Sequence, residues 1–197
     1  FALLVPQPRH IVMVGLGGGS LAKFCHRHFP HTRITVLEVR LDVIALRERF
    51  HVPPDDARLR VLHGDGAAYL ARLAGEADVV MVDGFDSSGL PPTLSSAAFY
   101  AACRRALRPG GVLVTNVFTY DPGYAGVLQH LREAFDGHMG WLRGVAGNNR
   151  ILYTQRAGAA RATGRFGILV RRANIGWGWS NRLLVRLLVA WLARRQA

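Results

Sequence analysis

Cysteine is scarce: Cys25 and Cys103 are the only two in 197 residues, and both fall in stretches with helical spacing. A disulfide framework and a cysteine-rich metal site are therefore not expected, and a reducing, cytoplasmic setting is. No apolar run is long enough to span a bilayer, and no charged start followed by an apolar stretch and a cleavage site is present. Repeats of solenoid length are also missing. Asp and Glu are absent from residue 156 onward, where nine arginines fall. Of 25 basic residues, 16 remain before that point against 13 acidic ones, so the formal charge of +12 belongs mostly to an appendage. This divides the chain into a body, residues 1–155, and a basic tail, 156–197. The chain opens on Phe1 instead of Met and soon enters a strand, which suggests a further upstream segment.

The body alternates two patterns. Residues 10 to 16 are nearly all apolar and stop at glycines, as a strand buried on both faces does. Leu21, Phe24, Cys25 and His28 then recur at helical spacing, predicting a helix from Ser20 to His28. The alternation continues: strands over 33–37, 59–62, 77–82 and 112–118, and helices over 43–50, 67–73, 97–107 and 124–135. Pro109-Gly110-Gly111 is expected to stop the helix before the fifth strand. Residues 141–145 and 150–155, separated by Ala-Gly-Asn-Asn, predict a closing antiparallel hairpin. The expected fold class is α/β, a doubly wound, mostly parallel sheet with a C-terminal antiparallel hairpin.

In such a sheet, ligands sit beyond the carboxyl ends of the strands, so the loops there carry the candidates. After the first strand comes Gly15-Leu16-Gly17-Gly18-Gly19-Ser20, which suits close approach of a ligand or simply a tight turn. Glu38 stands about twenty residues beyond the glycines, where a carboxylate accepts both hydroxyls of a ribose. Asp65, in His63-Gly64-Asp65-Gly66, has two readings: an N-cap, or an acceptor for an adenine amine. Asp83 and Asp86, three apart after the fourth strand, are fitted to attract an amine and take its proton, or else to cap a local turn. His26, His28 and His31 are read as a surface cluster, because no carboxylate or cysteine stands at ligand spacing beside them.

Taken together, Val-Gly-Leu-Gly-Gly-Gly-Ser, Val-Leu-Glu-Val, His-Gly-Asp-Gly, Val-Asp-Gly-Phe-Asp, Phe99-Tyr100 and Leu-Arg-Pro-Gly-Gly-Val-Leu resemble the spermidine synthase (aminopropyltransferase) family over residues 9 to about 155. The resemblance implies a Rossmann-like, methyltransferase-type fold. It also implies a co-substrate, decarboxylated S-adenosylmethionine or S-adenosylmethionine, held by Gly15, Gly17, Gly19, Glu38, Asp65 and Gly66, with no metal. Asp86, helped by Asp83, is then the expected general base toward a small amine substrate. Three positions depart from the family pattern: Gly18 replaces an Asp that binds the aminopropyl amine, Ser87 replaces a Pro, and Asn116-Val117-Phe118 replaces a Gln-containing segment. The family's N-terminal β-rich segment, which helps it oligomerise, has no counterpart in these residues, and a homodimer is carried only as a candidate.

Two rival functions follow: a methyltransferase using intact S-adenosylmethionine, and a non-catalytic nucleoside-binding scaffold. In the tail, Leu184, Leu187, Leu188, Trp191 and Leu192 share one helical face flanked by arginines. Such a basic amphipathic helix suits an anionic membrane surface or another protein chain, or packs on its own domain. Nucleic acid is not an expected partner, since no binding module is recognisable.

Overall fold

The computed structural model describes residues 1–2, 4–86, 89–144 and 148–158. Ser87 and the tail beyond residue 158, including the amphipathic segment, lie outside the described residues. Seven strands form one sheet: β1 (His10–Val14), β2 (Arg33–Glu38), β3 (Leu59–His63), β4 (Ala77–Val82), β5 (Leu107–Phe118), β6 (Met139–Arg143) and β7 (Asn149–Gln155). Their order is β3-β2-β1-β4-β5-β7-β6, with the first five parallel and β7 antiparallel to both β5 and β6. The helices are α1 (Ser20–His28), α2 (Leu41–Ala45), α3 (Gly66–Arg72), α4 (Ala97–Ala106) and α5 (Tyr124–Ala134).

Both faces of the sheet are covered, which is why its central strands are apolar throughout instead of alternating. Val12, Val80 and Leu113 pack with Leu70, Tyr100 and Leu131 on the face of α3, α4 and α5. Ile11, Ile34, Val79 and Val112 pack with Ala22, Cys25 and Phe29 on the face of α1. Cys25 and Cys103 are both buried and unpaired, and burial pushes the Cys25 thiol up to about 12. At the start of α4 the Ser96 hydroxyl accepts the Phe99 amide at 3.2 Å, an N-cap.

Two elements differ from the sequence expectation. The expected helix over 43–50 shortens to α2, because Leu46 and Phe50 find no core to enter and His51 takes a left-handed φ of 54°. At the other site, no loop separates α4 from β5: the strand starts at Leu107 and carries Pro109-Gly110-Gly111 within it. A register shift between Ala77 and Val79 of β4 absorbs the extra residues, and Gly110 supplies a φ of +82°. Arg156, counted above with the tail, is built into the body. Its backbone pairs with Gly110 and Gly111 at 2.9 Å, and its guanidinium donates to the carbonyls of Arg104, Arg105 and Leu107 at the end of α4.

Candidate nucleoside and amine site

Five parallel strands bring their carboxyl ends to one edge of the sheet, and the strand order there sets the order of the site. From β3 to β5 it runs Asp65, Glu38, the glycine loop, Asp83 and Asn116. Side-chain direction alternates along a strand, and Val36, Met81, Val114 and Ile151 all belong to the α1-side core. Glu38, Asp83, Asn116 and Asn149 stand two residues from these and therefore project on that same face. Glu38 and Asp83 flank the strand that carries the glycines, two strand spacings or about 10 Å apart.

The glycine loop is shaped by its neighbours. Gly15 has a φ of +97°, and a Cβ there would lie 2.3 Å from the Asp83 carbonyl oxygen, so only glycine fits. The Gly15 amide donates to Leu37 O at 2.8 Å and the Asp83 amide to Val14 O at 2.9 Å, which fixes the loop to both adjacent strands. Gly17 and Gly19 also have positive φ, and a Cβ at Gly17 would meet only open space. Gly66, at the first position of α3, lies so close to Val14 that a Cβ would be 2.6 Å from its side chain. The absence of a Cβ there lets α3 pack closely on β1.

Glu38 is buried and is held by backbone amides. Its Oε2 accepts the Leu16 amide and its Oε1 the Arg40 amide, each at 2.9 Å. Each oxygen keeps a further acceptor site, so the carboxylate is aimed while still able to receive two hydroxyls. The next loop is tied to it by the Gly64 amide on Glu38 O at 3.0 Å and by His63 Nε2 on Val39 O at 3.1 Å. Asp65 acts as the N-cap of α3: its Oδ1 accepts Ala67 N at 2.7 Å and Ala68 N at 3.3 Å. The capping alternative is thus realised on Oδ1, and the side chain remains exposed on the ligand edge.

Asp83 is exposed at the end of β4 and accepts Asn116 Nδ2 on its Oδ1 at 2.9 Å; Asn116 Oδ1 in turn accepts Asn149 Nδ2 at 2.7 Å. Asp86 lies farther out, on a turn closed by backbone bonds between Asp86 and Gly89 at 3.0 and 3.3 Å. Asp121, which sequence reasoning missed, fastens that turn by accepting Leu90 N at 3.2 Å and Gly123 N at 2.8 Å. Asn149 was read only as the end of a hairpin turn, and no local signal could reveal its long-range partner. Phe85, Phe118 and Tyr120 line the rim beyond Asp83 in a row, with centroid separations of 4.6 and 5.2 Å. The edge therefore gathers Glu38, Asp65, Asp83, Asp86 and Asp121, an acidic locale suited to cationic ligands. Among the described residues no group of three ligating side chains could hold a metal ion. His26 does gain a carboxylate, Asp56 at 2.8 Å, which the linear sequence could not show because thirty residues separate them.

A family model for the spermine/spermidine synthase domain matches residues 2–122. The chain belongs to this family. A polyamine aminopropyltransferase of Chromobacterium violaceum is 34% identical over 140 residues, 71% of this chain and 54% of that protein. The human eEF1A lysine and N-terminal methyltransferase is 34% identical over 168 residues, 78% of this chain and 24% of that protein. The crystal structure of human methyltransferase-like protein 13 in complex with SAH superimposes with a TM-score of 0.73 at 28% identity, covering 87% of this chain and 82% of that one. The expected Rossmann-like, methyltransferase-type fold is thus the observed one. The chain spans about half the length of the aminopropyltransferases of the spermidine synthase family that it matches. Among the described residues no helix is long and apolar enough to cross a membrane.

Proposed function

We propose that this chain is the co-substrate-binding and catalytic domain of a transferase that moves an aminopropyl group from decarboxylated S-adenosylmethionine to a small amine. The observation that carries this reading is the pair of aimed carboxylates, Glu38 and Asp83, on either side of a glycine loop at the carboxyl edge of a parallel sheet. Glu38 would hold the ribose hydroxyls, the glycine loop would receive the methionine-derived chain, and Asp65, through the oxygen not used as cap, would meet the adenine amine. The sulfonium supplies its own leaving group. The amine nitrogen forms a bond to the methylene carbon, the carbon–sulfur bond breaks toward sulfur, and methylthioadenosine departs.

The ammonium acceptor must first lose a proton. Family resemblance pointed to Asp86 as base with Asp83 assisting; the geometry favours the exchange of these roles. Asp83 abuts Gly15 and is held by Asn116, whereas Asp86 sits on the outer turn beside the aromatic rim. Asp83 would take the proton and Asp86 would hold the distal charge of the acceptor, whose hydrocarbon chain would lie along Phe85 and Phe118. Asp83→Asn should then lower kcat by at least a hundredfold, and Asp86→Asn should act mainly on KM. The reverse pattern restores Asp86 as the base.

A methyltransferase reading is supported by one position. Gly18 places no carboxylate where an aminopropyl amine would need one, and a Cβ there would meet only the Phe50 ring at 3.8 Å. Calorimetric titration with both forms of the co-substrate separates the readings: tighter binding of the decarboxylated form supports aminopropyl transfer, and tighter binding of the carboxylated form defeats it. The buried free thiols of Cys25 and Cys103 favour a reducing, cytoplasmic setting.

A further inference from the structure

We infer that Asn149 is a positioning residue for Asp83, acting through Asn116, so that the β6–β7 hairpin is part of the reactive site and not only the closing edge of the sheet. The role rests on the reading of Asp83 as proton acceptor, but the relay itself does not. Asn149 Nδ2 donates to Asn116 Oδ1 at 2.7 Å, and Asn116 Nδ2 donates to Asp83 Oδ1 at 2.9 Å. The direction of both bonds is dictated by chemistry. An ionised carboxylate only accepts, so Asn116 must turn its Nδ2 toward Asp83, and its Oδ1 is then left facing Asn149. Asn149 must answer with Nδ2.

The flipped Asn116 amide would set a carbonyl oxygen against the Asp83 carboxylate and a second donor against Asn149 Nδ2. Asn149 therefore adds a second bond that only the donating orientation satisfies, and holds the Asn116 donor on Asp83 Oδ1 with Oδ2 left for the amine. The hairpin is built to hold Asn149 in place. A Cβ on Gly144 would fall 1.7 Å from Asn149 Oδ1, so the amide lies over a glycine that must remain one. Among the described residues the buried Asn149 Oδ1 has no hydrogen-bond partner, so no donor there competes to turn the amide around. Neighbouring Asn148 O accepts both Thr119 N at 3.0 Å and Thr119 Oγ1 at 3.3 Å, pinning the hairpin end to the loop after β5. Asn149 pairs with Phe118 in register, so Asn116 is its diagonal neighbour across the ladder.

The test uses the whole chain and side-chain NMR, followed by kinetics. Asp83→Asn should shift the side-chain amide resonances of both Asn116 and Asn149, and the Asn149 shift should vanish in an Asn116→Ala background. Asn149→Ala should lower kcat/KM about three- to tenfold, chiefly through kcat. In an Asn116→Ala background the same change should have no further effect, because the intermediary is gone. An Asn149 resonance indifferent to Asp83, or an Asn149→Ala loss of equal size with and without Asn116, overturns the inference. If no amine is a substrate while the resonances still track Asp83, the proposed function fails and the relay stands.

Discussion

Glu38 Oε2 receives the backbone amide of Leu16 at 2.9 Å, so the acidic residue at the end of β2 and the glycine loop after β1 are one structural unit. A carboxylate reserved for a ligand is at the same time a strut of the loop that the ligand would touch. Changes to the loop should therefore act on binding and on stability together.

Gly15→Ala is the sharpest case. A Cβ at Gly15 would clash with the Asp83 carbonyl, and the φ of +97° is itself unfavourable for alanine. A loss of about 2 kcal/mol or more in unfolding free energy is expected, with a lowered Tm by calorimetry. Gly17→Ala, where the space is open, should lose about 1 kcal/mol from backbone strain alone.

The opposite end of the sheet carries a pH-dependent contribution. His10 is buried, donates Nε2–H to Thr35 Oγ1 at 3.0 Å and accepts from Arg33 Nη2 on Nδ1 at 3.0 Å, so it is neutral. Burial, reinforced by the Arg33 charge, pushes its imidazole down to about 4 from an ordinary 6.5. Protonation then favours the unfolded chain: the stabilisation is complete above pH 6.5 and is lost as pH falls toward 4. Urea midpoints at pH 7 and pH 5 should differ in the wild type, and His10→Gln should shrink the difference. Asp56 does not share this window, since the Leu59 amide and His26 hold its carboxyl well below the usual carboxylate range.

Arg156→Ala should destabilise the body by about 1 to 3 kcal/mol, because the carbonyls at the end of α4 lose a charged donor. Arg156→Lys should recover only part of it, since an ammonium does not present the guanidinium fork. Equal Tm values for wild type and Arg156→Ala would remove this role.

The α/β alternation was legible wherever an apolar run met a glycine: α1 and β4 lie on their expected residues because Gly19 and the Asp83-Gly84 pair punctuate them. Glu38 was legible by its spacing from the glycines, and Asp83 by its place in the loop after the fourth strand, three residues before Asp86. Asn149 and Asp121 were not, because their partners stand 33 and 31 residues away, brought near by the β5–β7 register in the first case and by the packing of two loops in the second. The start of β5 was misplaced because Pro-Gly-Gly reads locally as a stop, whereas a bulge against β4 accommodates it within the strand. Arg156 was grouped with the tail on charge alone, and charge carries no record of which arginine finds a helix terminus.

The measurement closest to the central claim is calorimetric titration of methylthioadenosine into the wild-type chain and into Glu38→Ala. A carboxylate that receives the ribose hydroxyls through charge-assisted bonds predicts saturable binding to the wild type, weakened at least about tenfold by the substitution. Unchanged affinity in a folded Glu38→Ala, or no binding to the wild type, would contradict a nucleoside site at this edge.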